Sequence, residues 1–464
     1  MFQTEQKIHQ LAKYVQAEGG RAFLVGGCVR DRLMGREPTD WDVEVFGINP
    51  TRLRELLDLF GPVKATGEAF EVYKLGANLD VSLPRRERKQ GRGHRGFVIQ
   101  GDPAMTVREA TERRDFTINA ILQDPLNEEI IDPFQGQSDL KAKILRAVSK
   151  ATFSEDSLRV LRAAQFAARF EFEIEPQTVA LCRQIDLADL PAERIWGEIE
   201  KLLLLAERPA IGLRWLRDLR ASEQLLPEIE ALIDVPQDPV WHPEGDVFVH
   251  TLLVVDQARK LITDLDYPRQ VTVMLAALCH DFGKPATTEF LEGHWRSRGH
   301  EEAGVTPTTR LLDRLNIHTL KNYDVRGQVI ALVREHLKPG EFFKQREEIG
   351  DGAFRRLARK CELDLLYLVA RADTLGRNAP WIPREQWFDA LPQEWFIQRV
   401  HELRVEQHPP APLLLGRHLL EMGLAPGPRI GEITRAVYEL QLDGQIETLD
   451  EAKAAAKNLL SKSD

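Results

Sequence analysis

The chain has 464 residues, of which 43% are hydrophobic and 29% charged, and its formal net charge is −10. This length predicts two to four globular domains, each with its own core. The chain contains no run of about 18 apolar residues and its N-terminus lacks an apolar signal core, so we expect no membrane contact and a cytoplasmic location. The four cysteines are far apart and form no C-x-x-C pair, which predicts free thiols.

A basic segment at residues 84–95 stands out against the acidic average. It carries six Arg and Lys side chains and one Glu. A negative net charge argues against nucleic acid as a partner, but phosphate binding needs only a local basic surface. We predict that Arg85, Arg86, Arg88 and Lys89 contact RNA. On charge alone, a solvated loop without a ligand is an equal alternative.

Within the first fifty residues, an apolar strand-like run is followed by a glycine turn, a helix-like segment and a second strand-like run. Asp40 and Asp42 lie two positions apart in that second run, so their carboxylates are expected on the same face. A glycine pair lets backbone N–H groups approach phosphate closely, and we expect Gly26, Gly27 and Arg30 to hold a triphosphate. The pattern predicts a site for divalent metal ions and a nucleoside triphosphate.

Two later segments add candidates to the same site. Asp80 lies in a strand-like run and is the third carboxylate candidate, because two-metal transfer needs two or three carboxylates. Asp115 can accept a hydrogen bond from a ribose hydroxyl while Arg114 reaches phosphate, and Asn119 completes the predicted nucleotide site.

The order of these motifs resembles the nucleotidyltransferase superfamily that includes DNA polymerase β. In finer detail, GG-x-VRD followed by DWD resembles the bacterial tRNA nucleotidyltransferase and poly(A) polymerase family, which includes CCA-adding enzymes. The segment RRDFTINA at 113–120 is similar to a family motif that contacts the ribose. The segment ERIWGE at 193–198 is similar to a motif that closes the family's neck, and we expect a structural role for it.

The resemblance carries expectations about fold and ligands. It implies an α+β head with a polymerase β-like mixed sheet, followed by all-α neck and tail domains. It implies Mg²⁺ at Asp40 and Asp42. It also implies tRNA, CTP and ATP as substrates.

A motif for base selection follows the head. Residues 155–159, EDSLR, match the family's E-D-x-x-R pattern. We expect a helix that begins after Ser154, on which Asp156 and Arg159 share a face. The resemblance implies that these two side chains select CTP and then ATP by pairing with the base edge. The alternative is an ordinary surface ion pair.

Histidines indicate a second site, because seven of the twelve lie between residues 242 and 336. The order His250, His280-Asp281 and Asp373 resembles the HD phosphohydrolase family, whose helices bring two His and two Asp ligands to one metal. Imidazole with carboxylate suits a divalent transition metal such as Ni²⁺, Mn²⁺ or Co²⁺. His300 and His336 are further ligand or substrate-contact candidates, as in HD variants with two metals.

These expectations give four domains. A nucleotidyltransferase head is predicted at 1–148, a helical neck at 149–232, an HD domain at 233–380 and a helical tail at 381–464. The tail either contacts tRNA or packs as a helical lid. Whether the chain is a monomer or a homodimer stays open.

The sequence therefore predicts a CCA-adding enzyme with an attached HD phosphohydrolase that acts on 2′,3′-cyclic phosphates, 2′-phosphates or other phosphomonoesters. The alternatives within the enzyme class are a transferase that adds only A or only CC, and a poly(A) polymerase. An alternative of another class is an RNA-binding regulator with inactive sites.

Overall fold

The computed structural model describes residues 2–66, 72–89 and 97–461. The chain divides into two compact units, Met1–Leu226 and Pro227–Asp464, and each is described by itself. The four-domain division stays a prediction.

The first unit combines a mixed sheet with helices. Its helices are α1 (Phe2–Ala17), α2 (Gly27–Leu33), α3 (Pro50–Asp58), α4 (Val107–Glu112), α5 (Gly136–Ala142), α6 (Lys150–Phe153), α7 (Leu158–Phe170), α8 (Pro176–Cys182), α9 (Ala192–Leu205), α10 (Pro209–Asp218) and α11 (Ala221–Leu225). Its strands are β1 (Arg21–Val25), β2 (Trp41–Phe46), β3 (Val63–Thr66), β4 (Val72–Leu75), β5 (Leu79–Ser82), β6 (Arg85–Lys89), β7 (Phe97–Gly101), β8 (Leu122–Gln123), β9 (Ile130–Ile131), β10 (Ile144–Leu145) and β11 (Glu173–Ile174). A 3₁₀ helix spans Thr117–Asn119.

Seven strands form the main sheet in the order β3-β4-β5-β2-β1-β8-β9. Only β2 and β5 pair in parallel; the other neighbours are antiparallel. On β2, Val43 and Val45 are buried together with Leu11 of α1 and Leu53 of α3, so these two helices cover one face. Because side chains alternate along a strand, Asp42 lies on the opposite face.

The helical part of the first unit is built around α7, which packs against α9 and α10. Phe116, just before the 3₁₀ helix, is fully buried and contacts Phe153 and Phe166 edge to face, with ring centroids 5.7 and 5.9 Å apart. Phe166 in turn stacks on Phe170 at 5.6 Å. This aromatic cluster attaches α7 to the segment that follows α4.

The second unit is largely helical. Its helices are α12 (Pro227–Glu230), α13 (Val247–Leu261), α14 (Tyr267–Cys279), α15 (Lys284–Thr287), α16 (His300–Ala303), α17 (Val305–Arg314), α18 (Val325–Glu335), α19 (Lys338–Lys344), α20 (Asp351–Leu357), α21 (Leu363–Gly376), α22 (Leu391–Leu403), α23 (Gly416–Glu421), α24 (Pro428–Leu442) and α25 (Leu449–Ser461). Its strands are β12 (Thr288–Leu291), β13 (His294–Ser297), β14 (Thr319–Leu320) and β15 (Tyr323–Asp324). A 3₁₀ helix spans Arg384–Gln386.

Helix α14 is the centre of the second unit. All of its residues from Val271 to Cys279 are buried, as expected for a helix that is apolar on every side. It packs against α13, α18 and α21. Near the C-terminus, α23, α24 and α25 enclose a separate apolar cluster that includes Leu419 and Val437.

The predicted fold class, an α+β head followed by helical domains, is confirmed. Among the described helices, none combines the length and apolar character required to cross a bilayer.

The aromatic cluster generates the first prediction. Phe116→Ala removes a fully buried ring and leaves a cavity, and it should lower the free energy of unfolding of the first unit by about 3–5 kcal/mol. Urea unfolding followed by circular dichroism measures the change. The matched control is Leu59→Ala, because that side chain is 68% exposed and should shift stability by no more than about 0.5 kcal/mol. Equal effects of the two substitutions would contradict this account of the core.

Candidate active sites

The first unit has a cleft of about 690 Å³ that is lined by Asp42 and Glu44 of β2. Carboxylates and arginines dominate its lining. The acids are Asp42, Glu44, Asp80, Asp115, Glu155, Asp156 and Asp189, and the arginines are Arg85, Arg113, Arg114, Arg159, Arg162 and Arg194. A cleft with both signs of charge can hold metal cations on its acids and a polyphosphate on its arginines.

Asp42 and Asp80 lie side by side on the floor of this cleft. They are paired residues on the parallel strands β2 and β5. Lys74 of β4 contacts Asp80, with Nζ 2.9 Å from Oδ2. Asp40 precedes β2, is exposed and accepts a hydrogen bond from the Thr39 hydroxyl. Asp40 therefore lies outside the strand in which sequence reasoning placed it, and it does not line the cleft.

Electrostatics at the floor favour a cation. Loss of hydration next to the surrounding protein raises the pKa of Asp42 above its usual value. The nearby carboxylates of Asp80 and Asp40 raise this pKa further, whereas the positive charge of Arg114 lowers it. A cation among these carboxylates would relieve the repulsion. Among the described residues, groups of three possible ligands within 4.8 Å of one another occur only in the second unit. The transferase carboxylates are thus not assembled as a closed cage.

Arg30 does not line the cleft, in contrast to the predicted phosphate contact. Its side chain is buried, with Nη1 donating to Oδ1 of Asn119 at 2.7 Å and Nη2 donating to Oδ1 of Asp31 at 2.7 Å. Its guanidinium also lies over the Phe170 ring, 4.6 Å from the centroid. The physical reason is that aromatic rings of helix α7 cover Arg30, so its guanidinium forms its hydrogen bonds within the protein. Its role is to position its neighbours.

The glycine turn places the backbone close to an arginine. Gly26 precedes α2 with φ of +73°, a conformation that favours glycine. A Cβ at this position would lie 3.0 Å from Nη1 of Arg114. Gly27 begins α2. The turn is therefore shaped as predicted, and Arg114 rather than Arg30 is the guanidinium that reaches the cleft beside it.

Glu44 is a site residue that sequence reasoning missed. Its side chain is almost fully buried at the edge of the cleft, and its Oε1 accepts a hydrogen bond from Nη2 of Arg113 at 3.0 Å. Nη2 of Arg114 is 3.6 Å from the other oxygen. Glu44 thus orients both arginines. The available signal was its position two residues after Asp42, on the same face of β2.

Asp115 lies at the junction between the head and helix α7. Its buried carboxylate accepts hydrogen bonds from Asn119 Nδ2 at 2.9 Å and from Arg162 Nε at 2.8 Å. Burial alone would raise the pKa of Asp115, but Arg162 and Asn119 outweigh it and hold the pKa below its usual value. The carboxylate is ionised, faces the cleft and is held rigidly. Asn119 is buried between Asp115 and Arg30.

The base-selection motif differs from its predicted geometry. Helix α7 begins at Leu158, so Asp156 precedes the helix, and its Oδ1 accepts a hydrogen bond from the backbone N–H of Leu158 at 3.1 Å. Such a hydrogen bond from a nearby backbone N–H stabilises an Asp residue just before a helix rather than within it. Asp156 and Arg159 both line the cleft. Arg159 donates to the backbone carbonyl oxygens of Thr152, at 2.8 Å, and Arg113.

Arg194 was predicted to be structural, but it lines the cleft. Its Nη2 lies 2.9 Å from Oδ2 of Asp156. The cleft therefore contains Asp156 in contact with Arg194, and Arg159 also lines it. No feature of the ERIWGE segment distinguished this position, because the contact depends on how α9 packs on α7.

The basic segment is described only in part. The backbone of β6 pairs with β7 in an antiparallel hairpin. Arg85 lines the cleft beside Ser82. The side chains of Arg86, Arg88 and Lys89 lie outside the described part of the chain, as do residues 90–96, so RNA contact by this segment stays a prediction.

In the second unit, three helices bring the predicted HD residues together. His250 of α13 is fully buried, with Nε2 3.1 Å from Oδ1 of Asp373 on α21 and 3.3 Å from Nε2 of His280 at the end of α14. Asp281 Oδ2 is 3.2 Å from the same His280 nitrogen. All four side chains are at least nine-tenths buried. Ligand atoms of His250, His280 and Asp281 lie within 4.8 Å of one another, and Asp373 adjoins this group through its contact with His250.

His300 and His336 form a second group that shares Asp281. Their Nε2 atoms are 3.3 Å apart, and Asp281 Oδ1 is 3.3 Å from that of His300. Two sets of three ligand atoms, each within 4.8 Å, therefore meet at one carboxylate: His250, His280 and Asp281 form one set, and Asp281, His300 and His336 form the other.

Hydrogen bonds determine which imidazole nitrogens face the other candidate ligands. The Nδ1 atoms of His280, His300 and His336 each lie 2.7–2.8 Å from the backbone carbonyl oxygen three residues earlier. A carbonyl only accepts, so each Nδ1 carries a proton, and in the neutral ring the Nε2 atom presents a lone pair. A metal ion could accept the lone pairs of both His300 and His336. This donor set fits divalent transition metals, with the carbonyl bonds orienting the ligands.

The charge states of His336 and Asp373 suit metal ligation. Burial lowers the pKa of His336 to about 3, so the imidazole is neutral at physiological pH. Burial would raise the pKa of Asp373, but Arg377 and the hydrogen bond from His250 hold it well below its usual range. Glu244, which sequence reasoning missed, lies 2.6 Å from Nδ1 of His250 and orients that ring from behind.

The ion pair at the head junction generates the second prediction. Arg162→Ala leaves Asp115 buried without its cation and should cost about 3 kcal/mol of unfolding free energy at pH 7. Because the folded pKa of Asp115 is depressed, the pair stabilises above the unfolded-state pKa near 4 and is lost as pH falls through the folded pKa. The difference between variant and wild type should therefore shrink below about pH 4.

Urea unfolding at several pH values measures this difference. Arg214→Ala, at an exposed position of α10, is the matched control and should change stability little at any pH. A cost of Arg162→Ala that does not vary with pH would contradict the proposed ion pair.

Three family models match the chain: "Poly A polymerase head domain" at residues 22–146, "Probable RNA and SrmB- binding site of polymerase A" at 171–233, and "HD domain" at 247–378. A solved structure of the Bacillus stearothermophilus CCA-adding enzyme in complex with CTP is similar in fold, with a TM-score of 0.64 and 21% identity, covering 99% of this chain and 98% of that one.

Two curated relatives share the name Multifunctional CCA protein. The relative from Xylella fastidiosa (strain M23) is 39% identical over 376 residues, covering 77% of this chain and 84% of the relative. The relative from Xanthomonas oryzae pv. oryzae (strain MAFF 311018) is 38% identical over 431 residues, covering 90% and 97%. The chain therefore belongs to the multifunctional CCA protein family.

Proposed function

We propose that the first unit adds the terminal CCA to tRNA 3′ ends, using CTP and ATP. The observation that carries the proposal is the pairing of Asp42 with Asp80 on the floor of a cleft whose other walls present arginines. Family membership and the names of the relatives support it.

The reaction joins the 3′-hydroxyl oxygen of tRNA to the α-phosphorus of the nucleotide. The bond between that phosphorus and the oxygen bridging to the β-phosphorus breaks, pyrophosphate leaves, and the hydroxyl proton is released to solvent. Mg²⁺ held by Asp42 and Asp80, with Asp40 beside them, would stabilise the charge that develops on the phosphate oxygens. Arg114, oriented by Glu44, is placed to bind the triphosphate.

The polar side chains around Asp156 are proposed to recognise the base. A carboxylate can accept from the exocyclic amino group that cytosine and adenine both carry, whereas a guanidinium donates to ring nitrogen or carbonyl acceptors. Asp156 with Arg159 and Arg194 offers both kinds of group in the cleft. Asp115, which lines the same cleft, is proposed as the acceptor for a ribose hydroxyl.

We further propose that the HD cluster of the second unit hydrolyses phosphoesters, including 2′,3′-cyclic phosphates, 2′-phosphates and other phosphomonoesters. Water adds to phosphorus, one P–O ester bond breaks, and the departing alkoxide takes up a proton from water. Ni²⁺, Mn²⁺ or Co²⁺ held by the cluster would supply an activated water at neutral pH. Lys284, whose Nζ is 2.7 Å from Asp281 Oδ2, is a candidate phosphate contact.

The cysteines support the proposed cytoplasmic location. All four cysteines are buried free thiols, which is consistent with the reducing conditions of the cytoplasm. Whether the chain is monomeric or dimeric stays a prediction for mass measurement in solution.

The third prediction is that the two proposed sites can be inactivated independently of each other. Asp42→Asn keeps the shape of the side chain but removes its charge, and it should lower nucleotide addition roughly 100-fold or more while leaving phosphoester hydrolysis unchanged. Asp281→Asn should do the reverse. Both activities are measured on one preparation, with tRNA ending before CCA or after CC and with 2′,3′-cyclic AMP.

The same assay separates the alternatives. Incorporation of only A on tRNA ending in CC would indicate an A-adding enzyme, incorporation that stops after CC a CC-adding enzyme, and long A tails a poly(A) polymerase. Absence of any metal-dependent turnover in the wild type would favour a binding regulator. Loss of both activities in either folded variant would contradict the two-site proposal.

The shared carboxylate generates the fourth prediction. If Asp281 joins two metal positions, the wild type should retain two transition-metal ions per second unit, His336→Gln about one, and Asp281→Asn neither. Elemental analysis after dialysis measures the content, and the metal-dependent rise in melting temperature gives an independent readout. His318→Gln, at an exposed position, is the control. A single retained ion in the wild type, unaffected by His336→Gln, would contradict the two-metal arrangement.

A further inference from the structure

Three tryptophans line the cleft that opens onto the HD cluster. The cleft has a volume of about 860 Å³ and includes His300, His336 and Asp373 in its lining. Trp241, Trp295 and Trp387 line the same cleft and are 59%, 37% and 43% exposed. Large aromatic side chains are normally buried, so three of them open to one cleft indicate a surface used for binding.

Contacts connect Trp241 and Phe388, which together are called the aromatic wall, to the metal-ligand cluster. The Trp241 and Phe388 rings lie with centroids 6.4 Å apart. The Arg377 guanidinium lies over the Phe388 ring at 5.5 Å and contacts Asp373 Oδ1 with Nη2 at 3.5 Å. Phe388 is thus connected to the predicted metal ligand Asp373 through the single side chain of Arg377.

The charge of the cleft fits a phosphorylated ligand. Lys284 and Arg377 lie beside the predicted ligands, and Lys344 is exposed at the cleft. Three acids line the rim, and each has a neighbour: Asp238 contacts His294 at 2.6 Å, Glu341 contacts Lys338 at 2.7 Å, and Asp389 accepts a hydrogen bond from the backbone N–H of Leu391 at 3.1 Å. The cleft therefore presents cations near the cluster and apolar rings farther out.

We propose that Trp241 and Phe388 stack on the base of a nucleoside or RNA-end phosphoester and thereby determine the substrate class of the HD site. The inference rests on the proposed phosphohydrolase activity and adds its specificity. Phosphate lies at the cluster, ribose bridges the gap at Arg377, and the base lies on the aromatic wall. Stacking is tolerant of base identity because every base has a π-face, so the site discriminates nucleotides from base-free esters rather than one base from another.

A matched pair of substrates tests the proposal. One is 2′,3′-cyclic AMP, and the other is methyl β-D-ribofuranoside 2,3-cyclic phosphate, which keeps the ribose and the ester but lacks the base. Trp241→Ala should raise KM for the nucleotide roughly 10-fold and leave the base-free ester unchanged, and Trp241→Phe should restore most of the loss. Trp381→Ala is the control, because Trp381 is 58% exposed but does not line this cleft.

Binding of the product nucleotide gives a second readout. Calorimetric titration with adenosine 2′-monophosphate should show a weaker dissociation constant for Trp241→Ala by a similar factor, whereas methyl riboside 2-phosphate should bind both proteins equally. Unchanged turnover of the base-free ester also shows that the variant is folded.

The outcomes separate this inference from the function beneath it. Equal effects on the two substrates, or no effect on either, would overturn the stacking role of Trp241. If the wild type hydrolyses neither substrate, the proposed phosphohydrolase activity fails. The titration then decides base recognition by itself: a loss of nucleotide affinity in Trp241→Ala supports stacking, and an unchanged affinity overturns it.

Discussion

The carboxylate of Asp115 is the group on which the architecture of the first unit depends most. It is buried, its charge must be stabilised, and the residues that do so come from different parts of the chain: Asn119 of the 3₁₀ helix donates a hydrogen bond, and Arg162 of α7 supplies a positive charge. Asn119 extends the network to Arg30, which in turn lies under the Phe170 ring. A buried charge of this kind is costly unless every partner is in place. The network therefore fixes the positions of α2, Asp115 and helix α7 relative to one another.

The two proposed metal sites differ in how exposed their ligands are and in how far folding alone assembles them. In the proposed transferase cleft, Asp42 is exposed and Asp80 is partly exposed, and Lys74 partly neutralises Asp80. Such a site suits a metal that arrives with its nucleotide. In the HD cluster, backbone carbonyls hold buried imidazoles with their lone pairs converging, and Asp281 lies between the two sets. Such a site suits resident ions, because most of the cost of assembling the ligands is met by folding.

Much of this arrangement could be predicted from local pattern. Strand periodicity and family motifs located Asp42 and Asp80, and helix-borne histidines at intervals along the chain located the HD cluster. Longer-range packing could not be predicted. Arg30 was expected at phosphate, but rings more than a hundred residues later in the chain cover it. Arg194 was expected to be structural, but the packing of α9 brings it to Asp156. Asp156 itself was expected on a helix. It precedes α7, and its carboxylate accepts a hydrogen bond from the backbone N–H of Leu158. Long polar side chains are placed by what surrounds them, which spacing alone does not reveal.

The most direct test of the account is anomalous X-ray diffraction from crystals of the intact chain grown with Mn²⁺ and a non-hydrolysable CTP analogue. We expect density for Mn²⁺ between Asp42 and Asp80 with the triphosphate toward Arg114, and two further Mn²⁺ peaks on either side of Asp281. Absence of a peak at Asp42 and Asp80 while nucleotide is bound, or a single peak coordinated by only one of the two histidine sets, would contradict it.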